Sequence, residues 1–188
     1  MKRIITIALA VILILSMTAC NQITEQPSPP GSNGPSKPTS TEPPVLMITD
    51  DSGNNTKANT GTYTWIYDNG DGTQTGVCAD STHPLQWQKL MEPMTTTEDT
   101  IELNFAVPPQ EYMVRRWNES CWGDVNAISE GVVIKGNEIE LKDGGYIYEV
   151  AAKWTGENLA AEGTVCYGFY VIKTTQAEKL CLPAVQLT

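Results

Sequence analysis

The sequence predicts that residues 45–188 form an all-β domain of the β-sandwich type. Short stretches of alternating apolar and polar residues recur between turn residues, which is the pattern of half-buried strands. The same region has no helical stripe longer than two turns and no internal repeat, which argues against helical bundles and solenoids. A helical turn or two is predicted only near His83–Met91.

Residues 1–19 have the organisation of a secretory signal peptide. Lys2 and Arg3 precede an uncharged apolar run over residues 4–15, and small residues follow that run. As a helix, the run is too short to cross a hydrocarbon core of about 30 Å. The segment is therefore predicted to direct export and not to remain as a membrane span.

The end of this segment is similar to a known processing site. Thr18 and Ala19 directly before Cys20 resemble the lipobox of bacterial lipoproteins, with Met17 where leucine is usual. The resemblance implies that the Cys20 thiol is acylated, that cleavage makes it the amino terminus, and that the protein is anchored on the extracytoplasmic face of the bacterial membrane. The alternative is an ordinary signal peptide that contains a cysteine.

Residues 20–44 are predicted to be the lipidated cysteine followed by a disordered tether. Pro, Gly, Ser and Thr make up 16 of the 24 residues from Asn21 to Pro44, and Ile23 is the only aliphatic residue among them. Such a segment cannot bury enough apolar surface to fold. An extended Pro-rich chain of this length would hold a domain several nanometres from the bilayer.

The alternation is clearest from Gly145 to Trp154, where every even position is apolar or aromatic and is expected to face a core. The inward set of the last strand is Val165, Tyr167, Phe169 and Val171. The predicted strands are 45–49, 62–68, 73–80, 101–106, 112–117, 132–135, 139–142, 146–154 and 165–173.

Two segments rich in Asp, Asn and Gly lie between predicted strands. Residues 68–72 and 50–55 contain the residue types that tolerate a positive φ, as tight hairpins require. A calcium loop of the EF-hand type is the alternative, but it needs oxygen ligands at fixed loop positions and a Glu downstream, which neither segment has. Hairpin turns are therefore favoured.

One strand entry resembles a feature of immunoglobulin-like domains. Tyr146 follows Gly144 by two residues, as the tyrosine corner does at the start of strand F, although Lys142 replaces the usual acidic residue and leaves Tyr148 as a second candidate. The resemblance implies an immunoglobulin-like sandwich in which the strands act as B (101–106), C (112–117), E (139–142), F (146–154) and G (165–173). Blocks 61–72, 79–85 and 144–150 are also similar to those of uncharacterised lipoproteins of Gram-positive bacteria.

Four cysteines remain if Cys20 is acylated, an even number that is typical of disulfides in an exported protein. Cys78 and Cys166 both fall on outward positions of their strands. Cys121 and Cys181 follow strands C and G, which end at the same pole because both run antiparallel to F. We therefore predict the disulfides Cys78–Cys166 and Cys121–Cys181, with Cys166–Cys181 as the main alternative and free thiols as a less favoured one outside the cell.

The charge and the motif content of the sequence disfavour nucleic-acid binding and catalysis. Residues 45–188 carry 20 acidic and nine basic side chains, so this region would be repelled by nucleic acid. His83, the sole histidine, lies in a turn, and a packing role is favoured over a role as catalytic base. The sequence has no metalloprotease, nucleophile-elbow or phosphate-loop motif, and we expect no cofactor, no metal and no enzymatic activity.

One stretch of this acidic domain is both basic and aromatic. The candidate ligand-binding residues are Arg115, Arg116, Trp117 and Trp122. Arginine stacks on aromatic rings and grips carboxylates, and an exposed tryptophan stacks on sugar rings. Alternation directs either Arg116 or Trp117 outward. Arg116, Tyr112 and Val114 are favoured to face outward. The interpretation of Trp117 as the core residue of strand C, with the arginines paired to acidic side chains, is favoured over ligand binding by this stretch.

The sequence thus predicts a membrane-anchored extracytoplasmic lipoprotein whose sandwich binds a protein or a glycan at the cell envelope. The first alternative is a structural or sensory ectodomain without a small ligand. The second is a carboxylate-dependent envelope hydrolase, because the two acids of such an enzyme come from distant strands.

Overall fold

The computed structural model describes residues 40–157 and 159–175, and these form a sandwich of two antiparallel sheets. The all-β prediction is confirmed. Two short 3₁₀ helices, Pro84–Gln86 and Glu119–Cys121, accompany the strands. The strands are β1 (Leu46–Asp50), β2 (Asn55–Lys57), β3 (Asn59–Asp68), β4 (Gln74–Ala79), β5 (Pro93–Thr96), β6 (Thr100–Phe105), β7 (Glu111–Asn118), β8 (Glu130–Val132), β9 (Ile134–Lys135), β10 (Glu138–Glu140), β11 (Gly144–Thr155) and β12 (Ala161–Lys173).

The strand order matches that of an immunoglobulin-like sandwich. One sheet has the order β2-β1-β6-β10-β9, and the other has the order β4-β3-β12-β11-β7-β8, with β5 parallel to β12. If β1 is strand A, then β6, β9 and β10 correspond to B, D and E, and β7, β11 and β12 correspond to C, F and G. The predicted roles of B, C, E, F and G agree with this order. The hairpin of β3 and β4 is an addition that widens the second sheet beyond G.

The core lies between the two sheets and is formed by the inward residues that alternation predicts. Trp65 and Trp154 pack edge to face with ring centroids 5.6 Å apart, and Tyr148 stacks on Phe169 at 5.0 Å. Trp65 comes from the added hairpin, so the two tryptophans of the core belong to β3 and β11 and not to strand C. Burying aromatic rings of this size removes the most apolar area per residue from water.

A second apolar cluster covers part of the outer face of the seven-stranded sheet. The segment from Pro84 to Met91 crosses this face and buries Leu85, Trp87 and Met91 against Ile147 and Trp117. Gly168 of β12 makes room for it, because a Cβ there would lie 2.5 Å from Met91 Cε and 2.6 Å from Trp87 Cζ3. The crossing segment thus converts outward-facing strand residues into buried ones.

Both predicted hairpins are present. At the β3–β4 turn, the Asp68 carboxylate accepts a hydrogen bond from Gly70 N at 2.7 Å, and Asp71 accepts from Thr73 N at 2.9 Å. At the β1–β2 turn, the buried carboxylate of Asp50 accepts hydrogen bonds from main-chain and side-chain groups of the turn. The acidic side chains therefore organise the loops by closing Asx-type turns.

The tyrosine corner is not formed within the described residues. The Tyr146 ring lies 5.5 Å from the guanidinium of Arg116, and Tyr148 is buried where its ring stacks on Phe169. Neither hydroxyl donates a hydrogen bond to the main chain upstream in the part of the chain that the structure describes, so this fold reaches its strand order without that device.

Candidate functional site: the outer face of the seven-stranded sheet

The alternation of β7 runs opposite to the favoured expectation. Met113, Arg115 and Trp117 point to the outer face, and Val114 and Arg116 point between the sheets. Arg116 is tolerated there because its Nη1 donates to the carbonyl of Glu140 at 2.9 Å and its Nη2 donates to Glu130 Oε1 at 3.2 Å. A buried arginine that is fully paired in this way is a structural group, and it does not share a surface with Arg115.

The ion pair of Arg116 has a marked effect on its carboxylate partner. Hydrogen bonds from Arg116 and then from Lys142, whose Nζ lies 2.7 Å from Glu130 Oε2, lower the pKa of Glu130 to about 2. Burial acts to lower the pKa of Arg116, but the hydrogen bonds and charges of Glu130 and Tyr148 together outweigh this and the pKa is raised. Both side chains therefore stay charged through the neutral range.

Arg115 and Glu149 form the second ion pair, on the outer face. The two residues lie directly opposite each other on β7 and β11, and Arg115 Nε donates to Glu149 Oε2. The Glu149 side chain is nearly buried at 8% exposure, whereas that of Arg115 is 43% exposed. The terminal nitrogens of Arg115 donate to no other described group, so the guanidinium keeps free donors that face the solvent.

His83 packs beside this pair at the start of the crossing segment. Its Nδ1 accepts a hydrogen bond from Leu85 N at 3.2 Å, and its ring meets Trp117 edge to face at 5.1 Å. Burial lowers the pKa of His83, and the attraction of the nearby Glu149 does not reverse this. A neutral imidazole that caps a 3₁₀ helix in this way has a packing role.

The two candidate tryptophans do not form an exposed platform. Trp117 is 3% exposed, and its Nε1 donates to the carbonyl of Ala127 at 3.1 Å. The guanidinium of Arg115 lies 4.9 Å from the Trp117 ring, and Trp122 packs edge to face against Tyr170 at 5.5 Å. Their rings are engaged with the protein itself and are not positioned to stack on a sugar.

Beyond the edge of the crossing segment, the outer face of the same sheet has a shallow depression of about 220 Å³. Its floor includes Met113, Ala151 and Cys166, which lie side by side on β7, β11 and β12. Met113 is 67% exposed, and Arg115 is the next outward residue along β7. The alternation of apolar and polar residues does not predict this depression. The sequence feature that could have indicated it is the small size of the outward residues Ala151 on β11 and Cys166 on β12.

The three cysteines among the described residues form no disulfide with one another. Cys78, Cys121 and Cys166 are free thiols, and Cys181 lies outside the described residues, as do the lipidation site Cys20 and the tether. The predicted Cys78–Cys166 bridge is not formed because β3 lies between β4 and β12. Two inter-strand spacings amount to about 9.5 Å, and a disulfide spans at most about 7 Å between Cα atoms. Burial raises the pKa of the Cys166 thiol, and Glu149 adds to this effect.

The described part of the chain contains neither a metal-ligating cluster nor a membrane-spanning helix. No group of three or more His, Cys, Asp or Glu side chains among residues 40–157 and 159–175 is arranged to hold a metal ion. No helix in the described part of the chain is long and apolar enough to span a membrane. Comparison with protein-family models, with curated proteins and with solved structures found no match to this chain.

Proposed function

We propose that this protein is an extracytoplasmic lipoprotein, anchored through acylated Cys20 and a Pro-rich tether, whose sandwich binds a protein partner at the cell envelope and does not catalyse a reaction. The signal-like residues 1–19 and the small residues before Cys20 support the anchor. The tether gives the domain the reach to meet a partner away from the bilayer.

The observation that carries the binding function is the depression beside Arg115. An apolar floor at Met113, Ala151 and Cys166 lies one outward position along β7 from Arg115, whose terminal donors are free. Arginine binds carboxylates through paired donors, and the floor accommodates an apolar side chain. The combination fits a peptide segment in which an aromatic or aliphatic residue stands next to a single Asp or Glu.

A protein partner is favoured over a glycan for two reasons. Sugar binding would rely on stacking against exposed aromatic rings, and Trp117 and Trp122 are both packed against the protein. The domain carries a net negative charge, so a partner with many acidic side chains, or an acidic polysaccharide, would be repelled over long range. One carboxylate placed at Arg115 avoids most of this repulsion.

Binding is tested by selecting peptides from a random library displayed on phage against the immobilised full chain. Enriched peptides should pair an apolar residue with a neighbouring carboxylate. Met113→Asp should weaken them by at least about tenfold, because it removes the apolar floor and repels the carboxylate. The control is Val133→Asp, at an exposed valine between β8 and β9. Peptides that lack a carboxylate, or that bind Met113→Asp as tightly as the wild type, contradict the proposal.

The anchor is tested separately. Cys20→Ala should move the protein from the membrane fraction to the soluble extracytoplasmic fraction and abolish its labelling by a fatty-acid analogue. The matched control is Cys78→Ala, which should remain labelled and membrane-bound. Unchanged fractionation of the Cys20→Ala protein would refute lipidation.

A further inference from the structure

We propose that two copies of this chain pair edge to edge through β4 and are joined by a disulfide between their Cys78 residues. The strands at the ends of the two sheets differ in length and charge. β2, β8 and β9 are end strands of two or three residues, and each contains a charged residue. β4 is six residues long, has the sequence QTGVCA, and contains no charge and no proline.

An edge of this kind is a template for another strand. Edge strands are usually protected against intermolecular pairing by being short or by carrying charged residues, and β4 is neither short nor charged. Within the described residues, β4 pairs with β3 alone. Its free side therefore presents main-chain donors and acceptors that a second strand can satisfy.

The register of the hairpin identifies which groups are free. Asn69 N donates to the carbonyl of Thr73 at 3.0 Å, and hydrogen-bonded pairs alternate along an antiparallel ladder. Thr75, Val77 and Ala79 therefore direct their main-chain groups toward β3, whereas Gln74, Gly76 and Cys78 direct theirs away from the sheet. The Cys78 side chain is exposed.

A two-fold axis through Cys78 satisfies this pattern. In that register Cys78 lies opposite Cys78 of the second copy, and Gly76 lies opposite Asp80. The hydrogen-bonded pair has a Cα separation of about 5.5 Å, which lies within the range of disulfides. A shift of the axis by one residue makes the two cysteines diagonal neighbours about 7 to 8 Å apart, which is too far for a bond.

The occupant is a second copy and not an unrelated strand because the pairing is self-complementary. An isologous contact needs a surface that matches itself under rotation, and a neutral strand does so without opposing like charges. The domain is strongly acidic elsewhere, and in this register the carboxylate of Asp80 lies opposite Gly76 and not opposite another acidic side chain.

The covalent step is a thiol–disulfide exchange. A Cys78 thiolate attacks a low-molecular-weight disulfide and releases one thiolate, and the Cys78 thiolate of the second copy then attacks this mixed disulfide and releases the other. The two cysteines lose two electrons and two protons, and the disulfide oxidant is reduced to two thiols. In the cell this step rests on the proposed function, since disulfide oxidants act on exported proteins.

The test uses the purified full chain in detergent, with glutathione disulfide supplied so that the outcome does not depend on where the protein resides. On a non-reducing gel the apparent mass should double, and dithiothreitol should reverse the change. Cys78→Ser should abolish the dimer, and Cys121→Ser should not. A dimer that persists in Cys78→Ser, or a chain that only accumulates a glutathione adduct, overturns the inference.

The edge pairing has its own test, because an exposed thiol can cross-link by chance collision. Gly76→Asp should suppress the dimer by placing a carboxylate opposite Asp80 of the second copy, and adding Asp80→Lys should restore it. The Cβ at position 76 meets only Ile66 Cγ1 at 3.9 Å, so the domain can accept the side chain. Gly131→Asp, at the other end of the sheet, is the control. Dimer formation unaffected by Gly76→Asp refutes the pairing, whereas the fractionation of Cys20→Ala tests the anchor independently.

Discussion

Replacing Asp50 should destabilise the domain more than any other change to a turn carboxylate. Asp50 is 4% exposed. Its Oδ1 accepts from Ser52 N at 3.1 Å, Ser52 Oγ at 2.7 Å and Asn54 N at 2.9 Å. Its Oδ2 accepts from Asn54 Nδ2 at 3.0 Å and from the buried hydroxyl of Thr96 at 2.6 Å. One carboxylate thus ties the β1–β2 turn to β5.

The magnitude follows from which donors water can reach after the change. In Asp50→Ala the donors of Ser52 and Asn54 become hydrated at modest cost, but the Thr96 hydroxyl loses its acceptor inside the protein, which costs about 1 to 3 kcal/mol. With the loss of the local turn bonds, the free energy of unfolding should fall by about 3 kcal/mol. Asp50→Asn keeps the Oδ1 acceptor and should cost about 2 kcal/mol.

The assay is urea unfolding of the full chain, followed by the fluorescence of the buried tryptophans. Asp71→Ala is the matched control, because its carboxylate bonds only to Thr73 in an exposed turn, and it should change the midpoint far less. Burial acts to raise the pKa of Asp50, but hydrogen bonds from Thr96, Ser52 and Asn54 hold it below the ordinary value of 3.8. The contribution is therefore present above that pH and is lost as the pH falls below it. Equal midpoints for the Asp50 and Asp71 variants would refute the reasoning.

Three further changes test other parts of the fold. Glu130→Gln should destabilise the domain at pH 7, because a carboxylate whose pKa is lowered in the folded state stabilises that state above its unfolded pKa. The variant should also lose less stability than the wild type as the pH falls from 4.5 to about 2. An unchanged pH profile of the melting temperature would contradict this. Gly163→Ala should lower the melting temperature much more than Gly131→Ala, because a Cβ at Gly163 would lie 2.0 Å from a carbonyl oxygen of β3 and the φ of +156° favours glycine. Tyr167→Phe removes the buried hydrogen bond to the carbonyl of Pro44 and should cost about 1 kcal/mol in urea unfolding, whereas no change would mean that water replaces that bond.

The sequence was sufficient for the elements in which side-chain alternation and burial agree. β11 and β12 follow their alternation over most of their length, so their inward faces and their pairing could be predicted. β2 and β5 have three and four residues and bury few apolar side chains, so alternation could not predict them. β2 pairs with its neighbour β1 through the local turn, whereas β5 pairs with β12, which is distant in the chain.

The candidate site was predicted less well because its burial comes from tertiary structure. Trp117 looks like a core residue by composition, and it is buried, but on the outer side of the sheet beneath the crossing segment. Arg116 looks like a surface residue, and it lies inside because Glu130 and a main-chain carbonyl satisfy its charge. Local alternation determines which residues share a face and leaves open which face is covered.

The added hairpin has a consequence for how the protein acquires its fold. β3 pairs with β12, and the side chains of Thr64 and Thr164 meet at 3.1 Å across a sequence separation of 100 residues. During synthesis β3 is therefore complete long before β12, the strand it pairs with, has been made. Contacts between residues so far apart in the chain slow folding. A nascent chain that stops before β12 would expose both β3 and β11 without their central neighbour. Productive folding is thus expected to be post-translational, and C-terminal truncations should be recovered as protease-sensitive chains and not as smaller stable domains.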